Sequence, residues 1–312
     1  MRAVLLAIVV LLLAAGAGCG SSDRPSATLA VGPVGSLPAS KASHVVVLVM
    51  ENKEDRDVLG SSDAPALNAL ARRGGVATRS FGVRHPSLPN YLALTSGSTH
   101  GITSNCTDCH VAAPSIADQL EAAGLSWKAY LQGLPAPCST VAHAGRYAKK
   151  HNPFAYYDAI LRDPARCRRM VGFDQLARDL SGGRLPAFSF IVPDLCEDTH
   201  DCDVAHGDRF LARTVPPLRH ALGPHGFLVV TYDEGSSDAG CCGGAARGGR
   251  IATVVLGPDV RPGARDARPL DHYGVLRSIE DAFGVGHLAA AADPANGSLA
   301  GLFRGGRVPR LR

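Results

Sequence analysis

Ser87 stands in Arg84-His85-Pro86-Ser87-Leu88-Pro89-Asn90-Tyr91, a small hydroxyl residue followed two positions later by a proline and then by an amphipathic run. Such a stretch reads as a strand-end loop opening a helix. It aims the Ser87 hydroxyl, several unpaired backbone N–H groups and the positive end of a helix dipole at one point. A phosphate binds well at such a point, and a metal-activated serine can attack it. Taken alone, the stretch reads better as a Pro-rich turn before an ordinary helix. Two acidic clusters elsewhere shift the balance. Glu51-Asn52 follows the six apolar residues Val45 to Met50, and Asp233-Glu234 follows Phe227 to Tyr232. With Ser87 they form a carboxylate, amide and alkoxide set suited to one or two divalent cations, drawn from Ca, Mg, Mn or Zn. Such a cation would lower the pKa of Ser87 and hold a phosphate oxygen.

A fourth segment adds imidazole. Asp194 to Asp203 carries five acids and His200 within ten residues, charges that repel unless a cation or solvent relieves them. Asp198 and His200 lie two apart, so an extended segment presents both on one side. His272 opens the last helix and is the natural third member of that group. The plainer alternative is a solvated acidic loop pinned by a Cys196–Cys202 disulfide.

The elements that must position these residues alternate between buried apolar runs and helical segments. Strands are expected at 44–50, 127–131, 186–192, 227–232 and 251–256. Helices are expected at 64–73, from Ser87 onward, from Ser115 to Gly124, and at 173–180, 208–222 and 272–283. This rhythm predicts an α/β fold, a doubly wound and mostly parallel sheet with helices on both faces. In such a sheet, ligands bind at the carboxyl ends of the strands, where the three clusters fall. Residues 43–312 read as a single domain, and 285–312, rich in Gly, Ala and Arg, as a surface wrap.

The chain has 312 residues, 46% of them hydrophobic and 19% charged, enough for one large core. A formal net charge of +4 with scattered arginines argues against a nucleic-acid partner. No protein partner is implied. Residues 1–19 read as an export signal, with Arg2 ahead of a small-apolar run too short to span a bilayer. Ala15-Gly16-Ala17 fits a cleavage site for plain secretion. Ala17-Gly18-Cys19-Gly20 is similar to a bacterial lipoprotein box, with Gly16 where leucine is usual. Setting Cys19 aside, the nine cysteines leave an even number, which favours acylation of Cys19 and disulfides among the rest. The expected location is therefore exported, either anchored at the cell surface through Cys19 or secreted, with membrane contact through that lipid. Residues 20–42, rich in Ser, Gly, Pro and Ala, read as a flexible tether.

Six segments carry a resemblance to a known family: Val47–Asn52, His85–Tyr91, Tyr147–Pro153, Asp198–Asp201 with Gly207-Asp208, Thr231–Glu234 and His272–Glu280. In this order the chain resembles the phosphoesterase family of bacterial and fungal acid phosphatases and phospholipases C, within the alkaline-phosphatase superfamily. It is most similar there to the compact secreted acid phosphatases of mycobacterial type, since it has no room for the insertions of the larger phospholipases C. The resemblance implies a metal site of Glu51, Asn52, Asp233, Glu234 and the nucleophile Ser87. It implies that Asn90 helps hold the transferred phosphoryl oxygen. It gives His151, His200 and His272 roles as phosphate ligands, proton donors or, with Asp198, a second metal site. Glu234 stands where some relatives carry a second aspartate. The expected activity is hydrolysis of small-molecule or lipid phosphate monoesters through a phosphoserine. The alternatives are a phospholipase C-type phosphodiesterase and a non-catalytic ligand-binding lipoprotein.

Overall fold

The computed structural model describes residues 28–242 and 246–311. The expected signal and Cys19 lie outside the described residues. An eight-stranded sheet forms the centre, in the order Ala264–Asp266, Gly75–Ala77, Thr253–Leu256, Phe227–Tyr232, Val45–Met50, Phe188–Val192, Trp127–Leu131, Met170–Val171. Val45–Met50 pairs in parallel with both of its neighbours, and Thr253–Leu256 runs antiparallel to the strands on either side of it.

The central strands are apolar without alternation because both faces are covered. Val45, Val47 and Val49 enter one core, with Leu88 and Leu92 of the Ser87 helix and Val275 and Ile279 of the last helix. Val46, Leu48 and Met50 enter the other, with Leu67, Leu176 and Leu211 from three helices on the opposite face. The doubly wound, mostly parallel architecture is therefore present.

Several boundaries differ from expectation for identifiable reasons. The strand expected at 251–256 is two pieces. Arg250–Ile251 joins Ser80–Phe81 and Leu270–Asp271 in a small separate sheet, and Thr253–Leu256 joins the main one. The helix expected from Asp208 spans Val204–His220, because the Asp203 carboxylate caps it by accepting the His206 N–H at 2.7 Å. Residues 285–311 do more than wrap the surface. Leu299, Leu302 and Phe303 are buried in the first core, with the Phe303 ring centroid 5.2 Å from that of Phe227. In the segment expected as a tether, Leu29 and Val31 pack on the second core and Leu37 is buried. The eight cysteines from Cys106 onward form the pairs Cys106–Cys109, Cys138–Cys167, Cys196–Cys202 and Cys241–Cys242.

Candidate active site

Ser87 is the first residue of the helix Ser87–Ser96 and is buried. Its hydroxyl lies 3.1 Å from Glu234 Oε1 and 3.3 Å from Glu51 Oε2. Two strand ends deliver those carboxylates. Val45–Met50 ends directly before Glu51, and the parallel strand Phe227–Tyr232 ends directly before Asp233. Between them Asn52 takes a left-handed conformation (φ 58°), which asparagine tolerates better than most residues, and its N–H donates to Asp233 Oδ1 at 3.1 Å.

Glu51, Asp233 and Glu234 are all buried and offer oxygens within 4.8 Å of one another. Burial and the neighbouring carboxylates push Asp233 far above its ordinary range, and burial with the charge of Glu51 pushes Glu234 up. Asp233 Oδ2 has no hydrogen-bond partner. Three carboxylates held this close with an orphaned oxygen suit a divalent cation, and the oxygen-only set fits a hard one.

Glu51 is the hub. Burial alone would raise its pKa, but His151 pulls it down to about 2. Its Oε1 accepts the Tyr91 hydroxyl at 2.9 Å and lies 2.8 Å from His151 Nε2. His151 Nδ1 lies 3.3 Å from Asp198 Oδ2. Burial would lower the His151 pKa, and the flanking carboxylates Glu51 and Asp198 override it, to about 9. Burial lifts Asp198 to about 6, against the opposing pull of His151. The Cys196–Cys202 loop is fastened to the hub through its backbone. Glu51 N–H donates to Asp198 O at 2.8 Å, and Thr199 Oγ1 donates to Glu51 O at 2.7 Å.

The second metal group expected from Asp198, His200 and His272 is not assembled. Of these three residues, His200 does fall in ligand range of a group, with Glu51 and His151. Asp198 Oδ1 instead accepts the His200 N–H at 2.7 Å, and the His200 ring contacts Lys150 Nζ at 2.8 Å and Asp201 at 2.6 Å. His272 Nε2 contacts the Asp233 carbonyl on the other flank, and its buried Nδ1 has no partner. Burial holds His272 down to about 4, against that carbonyl contact, so it is neutral at physiological pH.

Asn90 also departs from its expected role. Its Oδ1 accepts the N–H groups of Val83 (2.7 Å) and Arg84 (3.1 Å), and its Nδ2 donates to Arg84 O (2.5 Å) and Pro86 O (3.4 Å). With both ends of the amide committed, Asn90 fixes the loop that delivers Ser87 rather than offering a free ligand for a phosphoryl oxygen. The N–H of Leu88, one of the helix-end donors, is likewise taken by Asn105 Oδ1 at 2.9 Å.

Asp208, within the Gly207-Asp208 pair, is structural. Its carboxylate accepts the N–H groups of Ala66 (2.9 Å) and Leu67 (2.8 Å) at the start of the helix Pro65–Arg73. Gly207 is needed because a Cβ there would lie 2.2 Å from Thr199 Cγ2.

The sequence reading missed His85, Tyr91 and Asn105. His85 Nδ1 contacts Glu234 Oε2, and His85 Nε2 lies 3.1 Å from Ser237 O. Tyr91 was within reach of sequence reasoning, since it follows Ser87 by one helical turn and so shares its face. Nothing in the spacing points to Asn105.

Comparison with known proteins shows the family. The Phosphoesterase family is matched over residues 57–286. The chain is 35% identical over 245 residues to a phosphatidylinositol-3-phosphatase of Mycobacterium tuberculosis, covering 78% of this chain and 77% of that protein. It is 27% identical over 266 residues to an acid phosphatase of Aspergillus fumigatus, covering 81% of this chain and 57% of that one. Among solved structures, an alkaline phosphatase superfamily protein from Vibrio parahaemolyticus superposes with a TM-score of 0.52 at 13% identity, over 78% of this chain and 68% of that one. Murine ectonucleotide pyrophosphatase/phosphodiesterase 5 gives 0.53 at 11% identity, over 79% and 96%. These two likenesses concern the fold alone.

Proposed function

The chain belongs to the phosphoesterase family and is a hydrolase of phosphoric esters; from that premise we propose that it is an exported, metal-dependent acid phosphatase working through a phosphoserine at Ser87. The observation that carries the reading is the Ser87 hydroxyl at a buried helix start, within 3.3 Å of two carboxylates from adjacent strand ends.

Glu51, Asn52, Asp233, Glu234 and the Ser87 oxygen would hold the cation. When bound, it would supply positive charge that favours the serine alkoxide and offsets charge on the phosphoryl oxygens. The chain's own groups account for the rest. Ser87 Oγ forms a bond to phosphorus as the bond to the departing alcohol breaks. The Ser87 proton has Glu234 or Glu51 as acceptor. His151, protonated between Glu51 and Asp198, and Lys150 beside His200 place positive charge on the flank of the site. Water then releases phosphate and restores the serine hydroxyl. Neutral His272 anchors the Asp233 carbonyl. Asn90 acts through the loop rather than on the phosphate.

Phosphate monoesters, small or lipid-borne, are the favoured substrates because the relatives are named as phosphatases, one of them acting on phosphatidylinositol 3-phosphate. The even cysteine count after Cys19 supports export with lipid anchoring. Release of inorganic phosphate from p-nitrophenyl phosphate and phosphatidylinositol 3-phosphate, and of phosphocholine from phosphatidylcholine, each with chelator and then metal add-back, tests the reading. Metal-restored turnover of the two monoesters is expected. Cleavage of phosphatidylcholine alone would place the chain with the phosphodiesterases, and turnover of neither monoester would contradict the reading.

A further inference from the structure

The end of the sheet opposite Ser87 carries a cationic face. The carboxylates Asp233 and Glu234 follow the last residue of the strand Phe227–Tyr232, and His225 lies just before its first; six residues of strand put about 20 Å between the two ends. A cavity of about 740 Å³ opens at the His225 end, lined by Asp259, Asp281, Arg304, Arg307 and Arg310. Its two carboxylates are each met by an imidazole, Asp259 by His225 and Asp281 by His287, both at 2.9 Å. Its three arginines are exposed, and among the described residues none has an ion-pair partner. A second cleft of about 590 Å³ adjoins at Pro258 and adds Arg73 and Arg219, exposed and likewise without ion pairs among the described residues.

The N-terminal segment runs along the same face. Val34 lines the second cleft, Leu37 O lies 3.0 Å from His220 Nε2, and Ser43 Oγ accepts the His225 N–H at 3.1 Å. Cys19 precedes the first described residue, Thr28, by a stretch that reaches at most about 30 Å when fully extended. A chain acylated at Cys19 would therefore keep this face close to the bilayer.

We propose that this five-arginine face docks on anionic phospholipid headgroups, with the catalytic cleft at the far end of the sheet. Guanidinium forks match phosphate oxygens, and basic groups near a membrane surface gain from its negative potential. The only large apolar side chain exposed among the described residues is Val141, which lines neither cleft. The attraction is therefore electrostatic and falls with salt. It depends neither on acylation nor on the phosphatase reading.

The test uses residues 20–312, which carry every described element, sedimented with vesicles of phosphatidylcholine alone or mixed with phosphatidylglycerol. Binding to the mixed vesicles only, weakened by salt, is expected. Combined Arg304→Gln, Arg307→Gln and Arg310→Gln should raise the apparent Kd on the order of 100-fold. Lysine at the same three positions should keep most of the binding, which separates charge from folding. Phosphatase turnover of a soluble ester should be the same in all three proteins. Equal binding to both kinds of vesicle, or unchanged binding by the glutamine variant, would overturn the proposal. So would affinity for free inorganic phosphate at these arginines with no binding to vesicles.

Discussion

Glu234 links Ser87 to His85: one carboxylate oxygen takes the Ser87 hydroxyl at 3.1 Å, and the other is held by the His85 ring, itself braced on the Ser237 carbonyl. A residue two positions before the nucleophile thus sets the orientation of a carboxylate reached from a different strand. His85→Ala should lower kcat about 10- to 100-fold, the usual cost of losing a residue that orients a ligand. KM should change less, and His85→Asn should recover part of the rate. Steady-state kinetics with unaltered circular dichroism checks this, and a native kcat in the alanine variant contradicts it.

Asn90→Ala leaves the buried N–H groups of Val83 and Arg84 without acceptors, at roughly 1–3 kcal/mol each. The melting temperature should fall by several degrees or more, with a lower kcat as the Ser87 loop loosens. A variant that melts like the native protein but shows a raised KM would instead make Asn90 a phosphate ligand.

Asp233→Asn removes one of three crowded carboxylates. Elemental analysis should find the native protein loaded with a divalent metal and the variant depleted. Chelator should lower the melting temperature of the native protein and leave that of the variant nearly unchanged, because a ligand bound only to the folded state stabilises it. A native protein fully active without metal contradicts the assigned ligand set.

Away from the site, Glu280 is buried in the helix His272–Phe283. Its Oε1 accepts the Leu288 N–H at 2.8 Å, while Oε2 has no hydrogen-bond partner. Burial lifts its pKa to about 8 from an ordinary 4.5. Between those values the folded chain holds a proton that the unfolded chain releases, so stability falls as pH rises through that window. Glu280→Gln should flatten this decline and raise the melting temperature at its alkaline end. Thermal unfolding across the window checks it, and an unchanged slope in the variant contradicts it.

The strands 45–50 and 227–232 were legible because burial on both faces demands unbroken apolar runs, and the acidic residues just beyond them mark the strand ends. Ser87 was legible as a helix start, and the Cys196–Cys202 bridge as the clamp on an acidic loop. His272 was legible as the first residue of the last helix, but its contact with the Asp233 carbonyl depends on where that helix docks, which no local spacing encodes. His85 and Asn105 act across loop contacts, to Glu234 and to Leu88, and carry no periodic signal. Asn90 was legible by its place in the helix that Ser87 opens, but its backbone contacts were not. A buried amide between four backbone groups looks, in sequence, the same as one facing a ligand.

The central claim is that Ser87 Oγ attacks phosphorus. Turnover of p-nitrophenyl phosphate by Ser87→Ala, measured beside its melting curve, tests it most directly. The account predicts a rate loss of at least about 10³-fold with folding retained, and a phosphate on Ser87 in native enzyme quenched during turnover. A near-native rate in the alanine variant would contradict it.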